Sequence, residues 1–272
     1  MTDRGPLAPA AERRPTARKR SFLHDVLVVA RRSIILLPRE PEAVIPALII
    51  PVFFFVVNVG SLQNLTESMA PGLDFKGFQL PVAIIFAVTG ISRAPALVVD
   101  IQEGYFDRML VSPLSRRALL IGLMVSDMVL VTVLTLPVVG LGLVLGVRFA
   151  AGPLGIAVFI ILGAVWGLAY TGFPYAIALK TGSPAAVNSS FLLFFPFAFL
   201  TTVFVPLDAM TSWLASVARY NPLTYVLEGL RSVVLEGWDG WALLRAVLAI
   251  SLVALVSQTL SFLALRGRVS RS

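Results

Sequence analysis

Six long stretches of this chain hold almost no charge, and that limits the solvent in which it can fold. Residues 43–66, 149–179, 181–207 and 246–265 carry no Asp, Glu, Lys or Arg, residues 77–99 carry Arg93 alone, and residues 118–147 carry Asp127 alone. About 20 apolar residues cross the hydrocarbon core of a bilayer as a helix, and each stretch reaches that length. Leu, Val, Ile and Phe fall on every helical face, which a soluble helix does not tolerate. The sequence therefore predicts an all-α membrane protein with six transmembrane helices. They are placed at residues 43–62, 79–101, 118–146, 153–179, 184–206 and 241–265. Charged residues make up 14% of the chain, against about a quarter in soluble domains. One transmembrane domain over residues 22–265 accounts for the composition.

The orientation follows from the basic residues. The net charge is +7, but nine of the 22 Lys and Arg precede Glu42 and three fall in the last seven positions. They flank the apolar stretches rather than forming one face of a domain, which argues against a nucleic-acid partner. With the N-terminus inside, sixteen basic residues lie on the cytoplasmic side and about five opposite, counting Lys76, Arg148, Arg219, Arg231 and Arg245. This positive-inside bias places both termini in the cytoplasm.

Residues 1–21 are expected to be a disordered basic tail, with no apolar core of a signal peptide. In residues 22–37, Phe22, Leu23, Val26, Leu27, Ala30 and Ile34 recur near helical spacing, with His24, Asp25, Arg31 and Arg32 opposite. This is an amphipathic helix lying in the interface, ended by Pro38 and Pro41. Residues 266–272 form a short basic cytoplasmic tail.

Between the second and third spans, Tyr105, Phe106, Met109 and Leu110 share one face of a short helix, with Glu103, Asp107 and Arg108 beside them. Pro113 stops it. From the residues alone, it either rests on headgroups or fills a partner's groove. The stretch Glu103-Gly104-Tyr105-Phe106-Asp107-Arg108-Met109-Leu110-Val111-Ser112-Pro113-Leu114-Ser115-Arg116 resembles the cytoplasmic signature of type-2 ATP-binding-cassette transporter permeases, bacterial drug-resistance exporters of the daunorubicin type above all. A second stretch, from Phe204 through Trp213 to Tyr220-Asn221-Pro222-Leu223-Thr224-Tyr225-Val226-Leu227-Glu228-Gly229-Leu230-Arg231, is similar to that family's segment before the last span.

The resemblance implies a coupling helix at residues 104–111. There Gly104, Tyr105, Phe106, Asp107, Arg108, Met109 and Leu110 meet an ATPase subunit, with Lys180 and Thr181 as a smaller contact. It implies two ATPase partners, which hold ATP and Mg, and a second permease chain, identical or homologous. It also implies residence in the bacterial cytoplasmic membrane. No cofactor is expected on this chain. A P-loop needs its glycine framework around Lys-Ser/Thr, and Lys180-Thr181 is preceded by Leu179. The outer residues 209–236, with Asn221, Pro222, Tyr225, Glu228 and Arg231, are expected to be interfacial or, by the resemblance, re-entrant helices. Glu228 and Arg231 stand at pairing distance along a helix.

Two charges lie inside the membrane stretches. Arg93 and Asp127 each sit about ten residues from the cytoplasmic end of their span, roughly 15 Å deep, with opposite signs. An unpaired charge there costs on the order of 3 kcal/mol, so the two are expected to pair, as a latch or as an inert support. In the fifth span Asn188, Ser189, Phe191, Phe194, Phe195 and Phe199 either face lipid and neighbouring helices or line a path for an apolar ligand. The resemblance favours the path.

Catalysis is not expected. The single histidine, His24, precedes the first span and the chain has no cysteine, which removes Ser–His, zinc and thiolate metal sites, and no metal site is expected. Two functions remain. One is the permease of an ATP-driven exporter, whose cargo is an amphipathic drug, a natural product, or a lipid or glycan conjugate. The other is an ion-coupled carrier or channel, which concentrates ionisable groups at mid-membrane.

Overall fold

The computed structural model of the chain describes residues 22–36, 41–69, 72–105 and 116–269. Ten α-helices carry the described residues, and no strand occurs among them. They are α1 (Phe22–Leu36), α2 (Pro41–Met69), α3 (Phe75–Thr89), α4 (Ala94–Gln102), α5 (Arg116–Val144), α6 (Gly152–Thr181), α7 (Pro184–Phe199), α8 (Ser212–Tyr220), α9 (Pro222–Arg231) and α10 (Gly240–Val269). A π-helical turn, Ser232–Glu236, extends α9.

Five segments among the described residues are long and apolar enough to cross a membrane: Ile45–Ser68, Phe75–Gln102, Ala118–Val144, Gly152–Thr181 and Gly240–Arg268. The stretch expected at 184–206 differs. Its helix, α7, has 16 residues, about 24 Å of rise, and residues 200–206 leave the helix. The expected continuous span at 79–101 is also interrupted, because Gly90 to Arg93 separate α3 from α4. Pro95 gives the reason. It occupies the first turn of α4, where its missing N–H is tolerated. Inside one long helix it would remove a bond and clash with the preceding turn.

Turn chemistry fixes the other ends. Asp74 caps α3 by accepting from the Gly77 N–H at 3.0 Å. Gly182, at φ 60°, closes α6 in the left-handed conformation, and the Ser183 side chain then caps α7 ahead of Pro184. Two capping motifs back to back turn the chain in two residues.

The helices pack through small residues, as they must where lipid tails are as apolar as the side chains. α1 lies along α5, where a Cβ on Gly122 would meet Val29 at 2.6 Å. α6 and α10 touch at Gly172, whose Cβ would lie 2.5 Å from the Ser257 carbonyl carbon. There the Ser257 hydroxyl donates to the Ala169 carbonyl, and Gln258 Nε2 donates to the Leu168 carbonyl at 3.0 Å. Trp166 Nε1 donates to Thr89 Oγ1 at 3.0 Å and ties α6 to α3. Gly172→Ala is expected to lower stability by about 1–3 kcal/mol through overpacking. Gly60→Ala, where nothing lies within 4 Å, is expected to be neutral. The thermal midpoints of the two detergent-solubilised variants check this.

Candidate functional site

Two apolar cores lie along the bundle. One holds Ile85, Leu130, Phe159, Trp166 and Leu227. The other holds Leu97, Leu119, Tyr175, Leu179 and Leu265. On α5 the sequence passes from Met124 in one core to Leu130 in the other, and the buried Ser126 and Asp127 fall between them. The α3–α4 interruption lies at the same level.

Asp127, fully buried, accepts the Arg93 backbone N–H at 2.9 Å through Oδ1 and the Ser92 hydroxyl at 3.0 Å through Oδ2. The Ser92 hydroxyl oxygen in turn accepts the Ala94 N–H at 3.1 Å. The carboxylate thus completes the cap of α4 that the Ser92 hydroxyl begins, placing negative charge at a helix N-terminus. The Tyr175 hydroxyl stands beside the same carboxylate but outside hydrogen-bond geometry. Arg93 and Asp127 therefore meet through the Arg93 backbone. The Arg93 side chain lines a cavity of about 340 Å³ with Arg32, Asp100, Leu123 and Pro184.

The aromatic residues of α7 form a ladder. Phe86 of α3 contacts Phe194 at 5.6 Å, Phe195 at 5.7 Å and Phe199 at 6.1 Å between ring centroids. Phe195 stacks on Phe199 at 6.2 Å, and Phe199 on Phe204 at 5.5 Å. Asn188, Leu192, Phe195 and Phe199 make one exposed stripe along α7, while Phe194 is buried and Phe191 half-buried. Ser189 is exposed, whereas Ser190 is buried and donates to the Val187 carbonyl. On the far side of Phe194, a cavity of about 410 Å³ is walled by Tyr170, Phe173, Phe197, Pro222 and Val256.

At the end of the bundle that holds α8 and α9, side chains replace regular backbone pairing. Asn221 accepts from the Leu223 N–H at 3.0 Å, and its Nδ2 donates to the carbonyls of Phe197 at 2.7 Å and Leu200 at 3.2 Å. One residue caps the start of α9 and satisfies the end of α7. Pro222 follows at the first position of α9. The Tyr225 hydroxyl donates to the Arg219 carbonyl at 2.6 Å. Arg231, buried, donates from Nε to the Phe78 carbonyl at 3.1 Å, from Nη1 to Thr202 Oγ1 at 2.7 Å and from Nη2 to the Thr202 carbonyl at 2.6 Å. Its guanidinium lies 3.5 Å from the Phe78 ring centre. The Glu228–Arg231 pairing suggested by their spacing gives way to this network, and Glu228 instead pairs with Arg245 at 3.4 Å. Burial pushes the Glu228 carboxyl above the usual carboxylate range, and Arg245 opposes the shift.

At the opposite end, Gly104 takes a φ of 69° just after α4. Tyr105 lies under Arg32, 4.2 Å from its guanidinium to the ring centre, and Arg32 also pairs with Asp100 at 3.6 Å. Gln102 Nε2 donates to the Gly182 carbonyl at 3.0 Å. This joins the turn after α4 to the turn after α6, where Lys180 and Thr181 are exposed. Phe106, Asp107, Arg108, Met109 and Leu110 lie outside the described residues.

The ABC-2 type transporter family model matches residues 24–235. The chain belongs to this family. Among curated proteins, it is 26% identical over 219 residues to the "Probable doxorubicin resistance ABC transporter permease protein DrrC" of Mycobacterium tuberculosis, covering 80% of this chain and 79% of that one. It is 25% identical over 227 residues to a daunorubicin resistance ABC transporter permease protein of Streptomyces coeruleorubidus, covering 81% and 78%. A probable multidrug ABC transporter permease of Escherichia coli matches at 26% over 171 residues, covering 61% and 46%.

In this ABC-2 family member the structure gathers the sequence-selected residues into separate places. Arg93 and Asp127 meet at the helix break. Phe194, Phe195 and Phe199 share the ladder. Gly104 and Tyr105 stand near Lys180 and Thr181 through Gln102. Ser92, Tyr175, Gln79, Phe78 and Thr202 were not selected. Each is a common residue type, and only its neighbours across the bundle single it out, as Gln79 shows by donating to the Val203 carbonyl. Asp127→Ala is expected to lower the thermal midpoint, by about 1–3 kcal/mol of stability, because it strands a buried N–H. Asp127→Asn keeps one acceptor and is expected to recover most of the loss. Arg231→Lys is expected to lose nearly as much folded protein as Arg231→Ala, because an ammonium cannot reproduce a fork shared by two acceptor residues. Monodisperse yield after size-exclusion chromatography checks it.

Proposed function

We propose that this chain is the permease subunit of an ATP-driven exporter that moves an amphipathic drug or natural product across the bacterial cytoplasmic membrane. The observation that carries the reading is the Gln102–Gly182 bond. It sets two turns side by side at one end of the bundle, in a chain of the ABC-2 family. A paired surface of that kind suits docking by a partner ATPase, with Gly104 to Leu110 as the larger contact and Lys180 and Thr181 as the smaller. ATP and Mg belong to that partner, and this chain supplies no catalytic group.

The reading takes α7 as a sixth crossing, short enough that residues 200–206 and helices α8 and α9 complete the outer leaflet. Both termini are then cytoplasmic, as the basic residues favour. α2 also exposes apolar residues, including Ile49, Phe53 and Val57, and its Phe54 meets the same Phe86 that Phe195 of α7 contacts. A second permease chain against this face would enclose a path lined by Asn188, Ser189, Phe191, Phe195 and Phe199. Aromatic contact area with few polar groups suits varied apolar ligands. The drug-resistance names of the relatives support the same class of cargo. An ion-coupled carrier is less well supported, since Asp127 is engaged as a helix cap.

The test is co-expression with a candidate ABC ATPase from the same genome. Phe106→Asp with Leu110→Asp is expected to leave insertion intact, to abolish ATPase co-purification and to reduce drug efflux at least tenfold. Co-purification at the normal yield with undiminished efflux would remove the coupling assignment. Single-cysteine labelling tests the orientation without background. An impermeant reagent is expected to reach Asn64→Cys, and not Asp107→Cys, in intact cells.

A further inference from the structure

The tightest approach of α6 and α10 is at their middle. Close contact at Gly172 and Ser257 gives way, toward Lys180 and Arg268, to a cleft of about 600 Å³ between the two helices. Its walls are apolar, with Ile177, Leu260, Leu263 and Ala264 among them, and Lys180 and Arg268 stand at its rim. Leu260 and Leu263 are 44% and 55% exposed, so the cleft opens outward toward lipid.

The charge pattern places that rim at a membrane surface. The charge-free run of α6 ends at Lys180 and that of α10 ends just before Arg266. The last turn of α10 carries both Arg266 and Arg268. Among the described residues, no carboxylate forms an ion pair with Lys180. The Arg268 guanidinium reaches the Gly182 turn, 4.0 Å from where a Cβ on that glycine would lie.

An apolar cleft inside a bilayer loses dispersion contacts unless a chain fills it. Two cations at its mouth select a negative headgroup, as basic pockets between transmembrane helices do. A hydrocarbon chain below and an anion at the rim together describe one class of ligand. We propose that the cleft between α6 and α10 binds an anionic phospholipid, with an acyl chain between the helices and the phosphate at Lys180 and Arg268. The site shares Lys180 with the proposed ATPase contact, but it requires only that the two cations stand at a membrane surface, and its test uses the chain without an ATPase.

The test uses the full chain in phosphatidylcholine nanodiscs that contain a minor fraction of spin-labelled phosphatidylglycerol or, in parallel, spin-labelled phosphatidylcholine. The motionally restricted signal is expected to favour phosphatidylglycerol. Lys180→Gln and Arg268→Gln should each reduce that preference about fivefold, and the double variant should abolish it. Ala264→Phe leaves both cations and fills the cleft, and it should also abolish the preference. Monodispersity confirms that each variant is folded. Equal restriction of the two lipids would overturn the proposal, as would a preference that survives the double variant. A preference that survives Ala264→Phe would assign the effect to surface charge alone and overturn the cleft. Release of the restricted signal by inorganic phosphate, but not by chloride at equal ionic strength, would assign the rim to a free anion and overturn the lipid.

Discussion

A helix interrupted inside hydrocarbon exposes N–H groups that no water can satisfy, and each one left unpaired costs several kcal/mol. The carboxylate of Asp127 answers that constraint. It takes the Arg93 N–H and the Ser92 hydroxyl at the point where α3 gives way to α4. Without an acceptor from α5, Pro95 would leave a broken helix with bare donors. With it, the break becomes a fixed bend between two apolar cores. The bend also lets α4 take its own course, so that Gln102 reaches the turn after α6.

The same rule governs the other end of the bundle. Residues 200–206 have no regular backbone ladder, yet they sit against helices. Gln79 donates to the Val203 carbonyl at 3.2 Å, Arg231 holds Thr202, and Asn221 holds Leu200. Irregular backbone survives inside a packed bundle where side chains from neighbouring elements satisfy it. Arg231 suits this task because its planar fork serves several acceptors at once. Its charge is spread over the Phe78 ring as well.

Much of this was legible in the chain itself, for reasons that can be named. Charge-free stretches fixed the long helices, because the cost of a buried charge is set by the residue and the lipid alone. Ser183-Pro184 and Asn221-Pro222 start α7 and α9 through an N-cap side chain and a first-turn proline, chemistry that acts within a few residues. Arg93 and Asp127 stood out because each was the lone charge in its stretch. Their mode of meeting did not, since whether a carboxylate finds a guanidinium or a backbone N–H depends on the angle between two helices. Pro95 carried the signal for the break, but a proline within an apolar stretch reads equally as a kink. The turns after α4 and α6 lie far apart in the chain, and Gln102, which joins them, looked like any polar residue at a helix end.

The sequence by itself determined the solvent, the long apolar helices and the family. Each of these depends on local composition or on short motifs. The tertiary structure decided which partner each buried polar group takes. Asp127 became a helix cap, Arg231 a clasp on residues 78 and 202, and Glu228 the partner of Arg245. It also decided where helices touch and where they part, as α6 and α10 do on either side of Gly172. These outcomes depend on distances between segments far apart in the chain, and a periodic apolar pattern contains no such distance.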